Sequence, residues 1–252
     1  RFYARAAQLA PRHPNVPWGN AFNEMLRGRL DKSISFYRRA LELDAKRRAF
    51  WIQLGWVLLD VGRLPQATEA FETAAALAAP DPDAQLEQAY VAIAGGDLPK
   101  LAAYLDEHEL DQIESIESLL DAAFLEFLAG RTDTARKLYA KALPVALTRP
   151  TVVAEPWDLR WGRSDLLAAA AFYVASGERA KATPLIEQVT HGIDRLEQNG
   201  NVWAGLSYTR ARMLALQGQT DAALAALEKA YERGWRRSWW PRIDPSLRSL
   251  AG

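Results

Sequence analysis

Histidine is the residue type best suited to hold a metal or move a proton near neutral pH, and the chain has three: His13, His108 and His191. They lie far apart, and none has a second histidine or a cysteine within four residues. They read as surface or packing histidines. Glu114, Glu117 and Asp121 share one helical face, the arrangement a pair of carboxylates would need for acid–base work. Nothing apolar beside them raises a pKa, so they read as a solvated ridge. Asp81-Pro82-Asp83 reads as a turn and helix cap rather than a calcium site. No glycine-rich phosphate loop and no Gly-x-Ser-x-Gly elbow occurs, and the absence of cysteine excludes thiolate nucleophiles and metal sites. The chain is read as non-enzymatic, with no cofactor and no metal.

Non-covalent chemistry is better represented. Trp18, Phe22 and Met25 are spaced i, i+4, i+7, one stripe of a helix, and so are Ile52, Trp56 and Leu59. The same spacing recurs in Leu86, Tyr90 and Ile93 and again in Leu120, Phe124 and Phe127. Near the C-terminus, Arg233, Arg236, Arg237 and Arg242 interleave with Trp235, Trp239 and Trp240. Basic plus aromatic can grip single-stranded nucleic acid. The tail reads more easily as a hydrophobic plug with arginine stems laid over it.

The elements that must carry these stripes are visible in Ala49 to Pro80. Trp51, Leu54, Gly55 and Leu58 are followed by Gly62, then Ala67, Phe71 and Ala74, with Pro80 closing the stretch. Gly28, Gly62, Gly96 and Gly130 stand 34 residues apart, and Tyr37, Phe71, Leu105 and Tyr139 keep the same step. This order and spacing resembles the tetratricopeptide repeat, a helix–turn–helix of about 34 residues. The resemblance implies an all-α fold, an α-solenoid (right-handed superhelix) of about six helix pairs.

Repeats are expected over about 14–47, 48–81, 82–115, 116–149, 163–198 and 204–237, after a half repeat over 1–13. An insertion at 148–162 breaks the period, and a capping helix over 238–252 opens at Asp244-Pro245. The whole chain 1–252 is then one solenoid without a separate second core. Because residues 2–9 read as the second helix of a repeat, the chain reads as part of a longer protein. Leu227, Ala230, Gly234, Trp239-Trp240 and Asp244-Pro245 resemble the closing segment of repeat regions in bacterial signalling and transcriptional regulators.

Lysine plus arginine equals aspartate plus glutamate, so no net field favours nucleic acid or an anionic membrane. The charges are nonetheless segregated: Arg27–Arg48 holds eight basic and three acidic residues, and Asp97–Glu126 nine acidic residues against Lys100 alone. No apolar run is long enough to span a bilayer. Lack of cysteine fits a periplasm slightly better than a cytoplasm.

In a tetratricopeptide array the first helix of each repeat lines the concave groove, and the resemblance puts all four stripes there. Trp18, Phe22, Met25, Ile52, Trp56, Leu59, Leu86, Tyr90, Ile93, Leu120, Phe124 and Phe127 then form an apolar, aromatic floor. Such a floor takes an amphipathic helix or an extended apolar peptide. Alternatively the stripes are core, or the tryptophan tail folds back in cis to cover them. A further alternative is a sensor enclosing a small apolar ligand between the groove and Trp157–Trp161. Aromatic and aliphatic residues stand where chaperone-tail clamps resemble one another in carrying lysine and asparagine, so no carboxylate clamp is implied. The expected function is a protein- or peptide-binding scaffold, the regulatory or sensory region of a larger bacterial protein.

Overall fold

A backbone that must reverse direction after every helix needs a residue that tolerates left-handed geometry, and Gly62 provides it at φ 74°. Its N–H reaches the carbonyl of Leu59 and that of Arg63 the carbonyl of Leu58, both at 2.9 Å, closing the helix with its last carbonyls satisfied. The same pair of bonds recurs at Gly28, Gly96, Gly130, Gly177 and Gly218.

In the computed structural model, which describes residues 9–10, 12–77, 86–108, 113–148 and 164–250, these closures link helices two by two. They join α1 (Asn15–Leu26) to α2 (Leu30–Leu43), α3 (Arg48–Asp60) to α4 (Leu64–Ala76) and α5 (Leu86–Ala94) to α6 (Leu98–Glu107). They also join α7 (Ile116–Leu128) to α8 (Thr132–Ala146), α9 (Asp165–Ala175) to α10 (Arg179–Gln198) and α11 (Ala204–Leu216) to α12 (Thr220–Glu232). A one-turn helix α13 (Trp240–Ile243) and a 3-10 helix (Pro245–Leu250) follow. Among the described residues every element is helical and there is no strand, which establishes the α-solenoid class. The half repeat over 1–13 falls largely outside the described residues, as do Asp81-Pro82-Asp83 and nearly all of the 148–162 insertion.

Several starts are set by side chains. The Ser115 hydroxyl accepts the Ser118 N–H (3.1 Å) at the head of α7, and the Asp97 carboxylate accepts the Lys100 N–H (2.9 Å) at the head of α6. Pro65 occupies the first turn of α4, where its missing N–H costs nothing.

The chain forms two compact units. One takes the residues up to Leu101 together with Arg236–Trp239; the other takes Ala102–Trp235 and the residues from Trp240 on. In the first, α3 lies against α4 at a position where a side chain is missing. A Cβ on Gly55 would stand 2.5 Å from Cε1 of Phe71, so the ring occupies the space that glycine leaves. Ala67 and Ala74 on α4 are buried beside it, as are Leu54 and Leu58 on α3. Trp51 differs from its expected place in that interface. It is half-buried, donates its indole N–H to the Ala45 carbonyl (2.8 Å) and lines a cleft beside α2.

In the second unit α7 packs on α8 and on α9, and α11 packs on α9, α10 and α12. Phe172 is the shared contact, 5.3 Å from Phe127 and 5.1 Å from Tyr139 between ring centres. The 3-10 helix packs on α9, α11 and α12. It begins at Asp244-Pro245, where Asp244 serves two purposes. Its Oδ1 accepts the Ser246 N–H (2.9 Å), as a cap does. Its Oδ2 accepts the Tyr208 hydroxyl (2.9 Å) and lies 2.8 Å from Nε of Arg212, which is only 1% exposed.

Two stability outcomes follow from this packing. Gly55→Ala is expected to lower unfolding free energy by about 1–3 kcal/mol, since Phe71 must leave its rotamer or push the helices apart; urea denaturation measures it. Asp244→Asn removes the charge that compensates a buried guanidinium and should cost about 3–5 kcal/mol. A loss below ~1 kcal/mol in the same assay would mean that Arg212 finds another anion.

Candidate functional site

Of the twelve stripe residues, Phe22, Met25, Trp56, Leu59, Leu86, Tyr90, Ile93, Leu120, Phe124 and Phe127 are buried, while Trp18 and Ile52 are half-buried. What surrounds them differs along the chain. Trp18 stacks at 6.4 Å on Phe22 and at 6.2 Å on Phe50. Trp56 stands 4.9 Å from Tyr90 and 5.6 Å from Phe71, ring to ring, and Arg237 lies over its face at 5.4 Å.

Arg237 is there because of a residue the stripe analysis passed over. Asp60 ends α3, four residues after Trp56 and so on the same helical face. Its Oδ1 accepts Nε of Arg237 (2.9 Å) and the indole N–H of Trp239 (3.0 Å), and its Oδ2 accepts a second guanidinium nitrogen at 3.4 Å. Both charged side chains are nearly enclosed, 5% exposed for Arg237 and 6% for Asp60. Burial pushes the Asp60 carboxyl above its ordinary pKa, while Arg237 and the Trp239 N–H pull it back. The segment is short and specific: one cation, one spacer, one indole.

In the other unit the stripe meets a later part of the same tail. Trp240 stacks on Phe124 at 5.7 Å and is 4% exposed, and the Arg248 guanidinium lies 5.5 Å over Phe127. Trp235 stacks on Tyr208 at 4.3 Å, and Arg233 donates to the Ser207 hydroxyl (2.9 Å). Trp239 and Trp240 are thus held inside the fold rather than displayed as stacking platforms, and Trp235 is half-buried against Tyr208. Trp157 and Trp161, the other wall of the ligand-sensor alternative, lie outside the described residues.

The chemistry-bearing residues remain dispersed. Among the described residues no group of three histidine, aspartate or glutamate side chains is placed to hold a metal. Asp194, three residues after His191, is taken by Arg210 at 2.7 Å. Glu114 and Glu117 are exposed and Asp121 is half-buried. A carboxylate that sequence reasoning left in the ridge's shadow is the buried one: Glu126, 3% exposed, with Nε of Arg131 3.7 Å away. Arg131 is better matched elsewhere, to Asp106 (2.8 Å) and the Ala102 carbonyl (2.8 Å). Within the basic stretch several arginines have a carboxylate at short range: Arg27 and Arg29 share Glu24, Arg39 meets Glu42, Arg47 meets Asp44 and Arg48 meets Glu87. A cleft of about 430 Å3 opens among α2, α3 and α4, lined by Arg38, Leu41, Trp51, Leu54 and Glu69.

Comparison with known proteins agrees with the repeat geometry. The family model of the tetratricopeptide repeat matches residues 25–47. A tetratricopeptide repeat protein from Parabacteroides merdae superposes with a TM-score of 0.54 at 15% identity, over 99% of this chain and 90% of that one. A chain of the APC/C hetero-tetramer Cut9–Hcn1 gives a TM-score of 0.58 at 14% identity, over 99% of this chain but 44% of its own. At such identities the likeness is one of fold. No curated protein matches the sequence.

Glu126 gives a measurable consequence. Burial, reinforced by Asp106 and opposed by Arg131, holds its carboxyl above the ordinary glutamate pKa. The folded chain therefore binds this proton more tightly than the unfolded one. The contribution to stability is complete below the ordinary glutamate value and is lost as pH rises through the raised one. Glu126→Gln keeps the shape and removes the charge. It is expected to raise Tm at pH 7, with the gain disappearing by about pH 4, where both forms are neutral.

Proposed function

We propose that this chain is a non-enzymatic scaffold that recognises protein segments on the apolar, aromatic face of its first helices, within a larger bacterial regulatory or sensory protein. The observation that carries the reading is the stripe's existing occupant. Arg237 reaches Asp60 across 177 residues of sequence and lies over Trp56, and Trp239 donates to the same carboxylate; a segment of the chain itself docked on this face supports the reading. A surface built only as core would be sealed by apolar residues. This one spends a buried carboxylate on orienting an incoming segment, which is how interfaces obtain specificity. The repeat fold supports the same reading, since stacked helix pairs expose long faces to which segments dock. One similar structure, the Cut9–Hcn1 hetero-tetramer, is itself an assembly of different chains.

The stripe residues that would anchor a partner are Trp18, Phe22, Met25, Ile52, Trp56, Leu59, Leu86, Tyr90, Ile93, Leu120, Phe124 and Phe127. Trp18 and Ile52, half-buried, are the two open to a partner while the tail is in place. Alanine at the buried positions would cost about 3–5 kcal/mol of stability, so the two half-buried residues are the informative ones to substitute.

The test is a displayed peptide library panned on the immobilised full chain. Enriched peptides should carry aromatic or aliphatic anchors at helical or alternate spacing. Their retention should fall about tenfold with Trp18→Leu or Ile52→Ala, a loss of roughly 1–2 kcal/mol. Enrichment that is indifferent to both substitutions would place the partner surface elsewhere.

A further inference from the structure

The Asp60 contact is selective in a way that the rest of the stripe is not. An apolar floor accepts any hydrophobic side chain of suitable size, because burial of area is non-directional. A carboxylate as enclosed as Asp60, one turn along the face from Trp56, accepts only a segment that brings a cation, since a buried charge without a partner is strongly unfavourable. Here two donors converge on it. Arg237 gives Nε at 2.9 Å and a terminal nitrogen at 3.4 Å, and Trp239 gives its indole N–H at 3.0 Å to the oxygen that Nε also uses. The guanidinium plane lies 5.4 Å from the Trp56 ring centre. The turn between the two donors is held by the Ser238 N–H on the Arg236 carbonyl (2.9 Å), so the i, i+2 spacing is part of what is recognised.

We infer that Trp56 and Asp60 form a receptor for an arginine followed two residues later by a tryptophan, and that the chain's own Arg237–Trp239 is an internal competitor for a partner protein carrying that pattern. The inference rests on the scaffold reading above and narrows it to one ligand chemistry. Arginine is required over lysine, because the contact uses a flat, forked donor laid on an indole. Tryptophan is required over phenylalanine, because the ring must donate as well as fill space.

Occupancy by the internal segment sets how strongly an outside one can bind. A segment docked about 99% of the time weakens the apparent affinity of any competitor about a hundredfold. A partner is then captured when it brings further contacts or when the internal segment is released.

The experiment uses a fluorescent peptide of residues 235–242 and the full-length chain carrying Arg237→Ala and Trp239→Ala. Anisotropy should show binding to this variant at least tenfold tighter than to the wild type. Adding Asp60→Asn should abolish it, and lysine or phenylalanine in the peptide at the two key positions should weaken it about tenfold each. A folded variant that fails to bind the peptide overturns the inference. If the same folded chain still enriches library peptides through Trp18 or Ile52, the scaffold reading survives that failure. Should the double variant unfold, Arg237→Gln alone carries the same comparison. A wild-type dimer that exchanges this segment between copies, seen as a concentration-dependent mass in sedimentation, also overturns the assignment to a separate partner.

Discussion

Two helices approach closely only where one of them gives up a side chain, and most helix pairs here depend on that concession. At the α3–α4 crossing Gly55 leaves the space that Phe71 fills, and a single methyl there would stand 2.5 Å from the ring. Small residues on the second helix do the same: Ser33, Ala67, Ala135, Ala182 and Ala223 are all enclosed, while α6 buries Leu101 at the matching position. The large residue that answers it, Tyr37, Phe71, Leu105 or Tyr139, is enclosed too. Close crossing in turn fixes which face of each first helix is left over, and that leftover face is the aromatic stripe. The stripe is therefore a by-product of the packing rule before it is anything else.

Which segment of the chain lies on that face is set by charge. Each unit holds one nearly dry ion pair, Asp60 with Arg237 in the first and Asp244 with Arg212 in the second. Pairs of this kind add little net stability, because desolvating both ions offsets most of their attraction. Their effect is on register. A tryptophan can sit on an apolar face in many ways, whereas an arginine that must meet one carboxylate can sit in only one. Asp60 thereby selects residues 236–239 from a tail containing several arginines and tryptophans, and Asp244 fixes the 3-10 helix against α11.

The repeat was legible because it is written in local terms. Glycine at the turn and a large residue nine positions on are short-range signals, and both keep their spacing of 34 over the first four copies; the small residue between them does so in all but the third, which has Leu101. The helix pairs follow from them. The candidate site was only half legible. The stripes are periodic and could be named residue by residue, but whether a stripe is open or covered depends on what folds onto it. Asp60 looked like an ordinary polar end to the apolar run AFWIQLGWVLLD, because its partner lies 177 residues away. An acidic residue four positions after Trp56, on an otherwise apolar face, was the available signal. Asp244 was legible as a cap; its pairing with Arg212, buried in the middle of α11, was not, because a lone arginine in a helix is unremarkable by itself.

The sequence distance between Asp60 and its partners has a temporal meaning as well. A ribosome adds roughly 5–20 residues each second, so the helices carrying Trp56 are complete some 10–35 s before Arg237 is made. For that interval the N-terminal helix pairs can fold from local contacts, with Trp56 already against Phe71 and Tyr90 but without Arg237 over it. The order of synthesis thus makes Asp60 wait for its charge partner, so the Asp60–Arg237 pair is a late event of folding and cannot be part of what nucleates the first helix pairs.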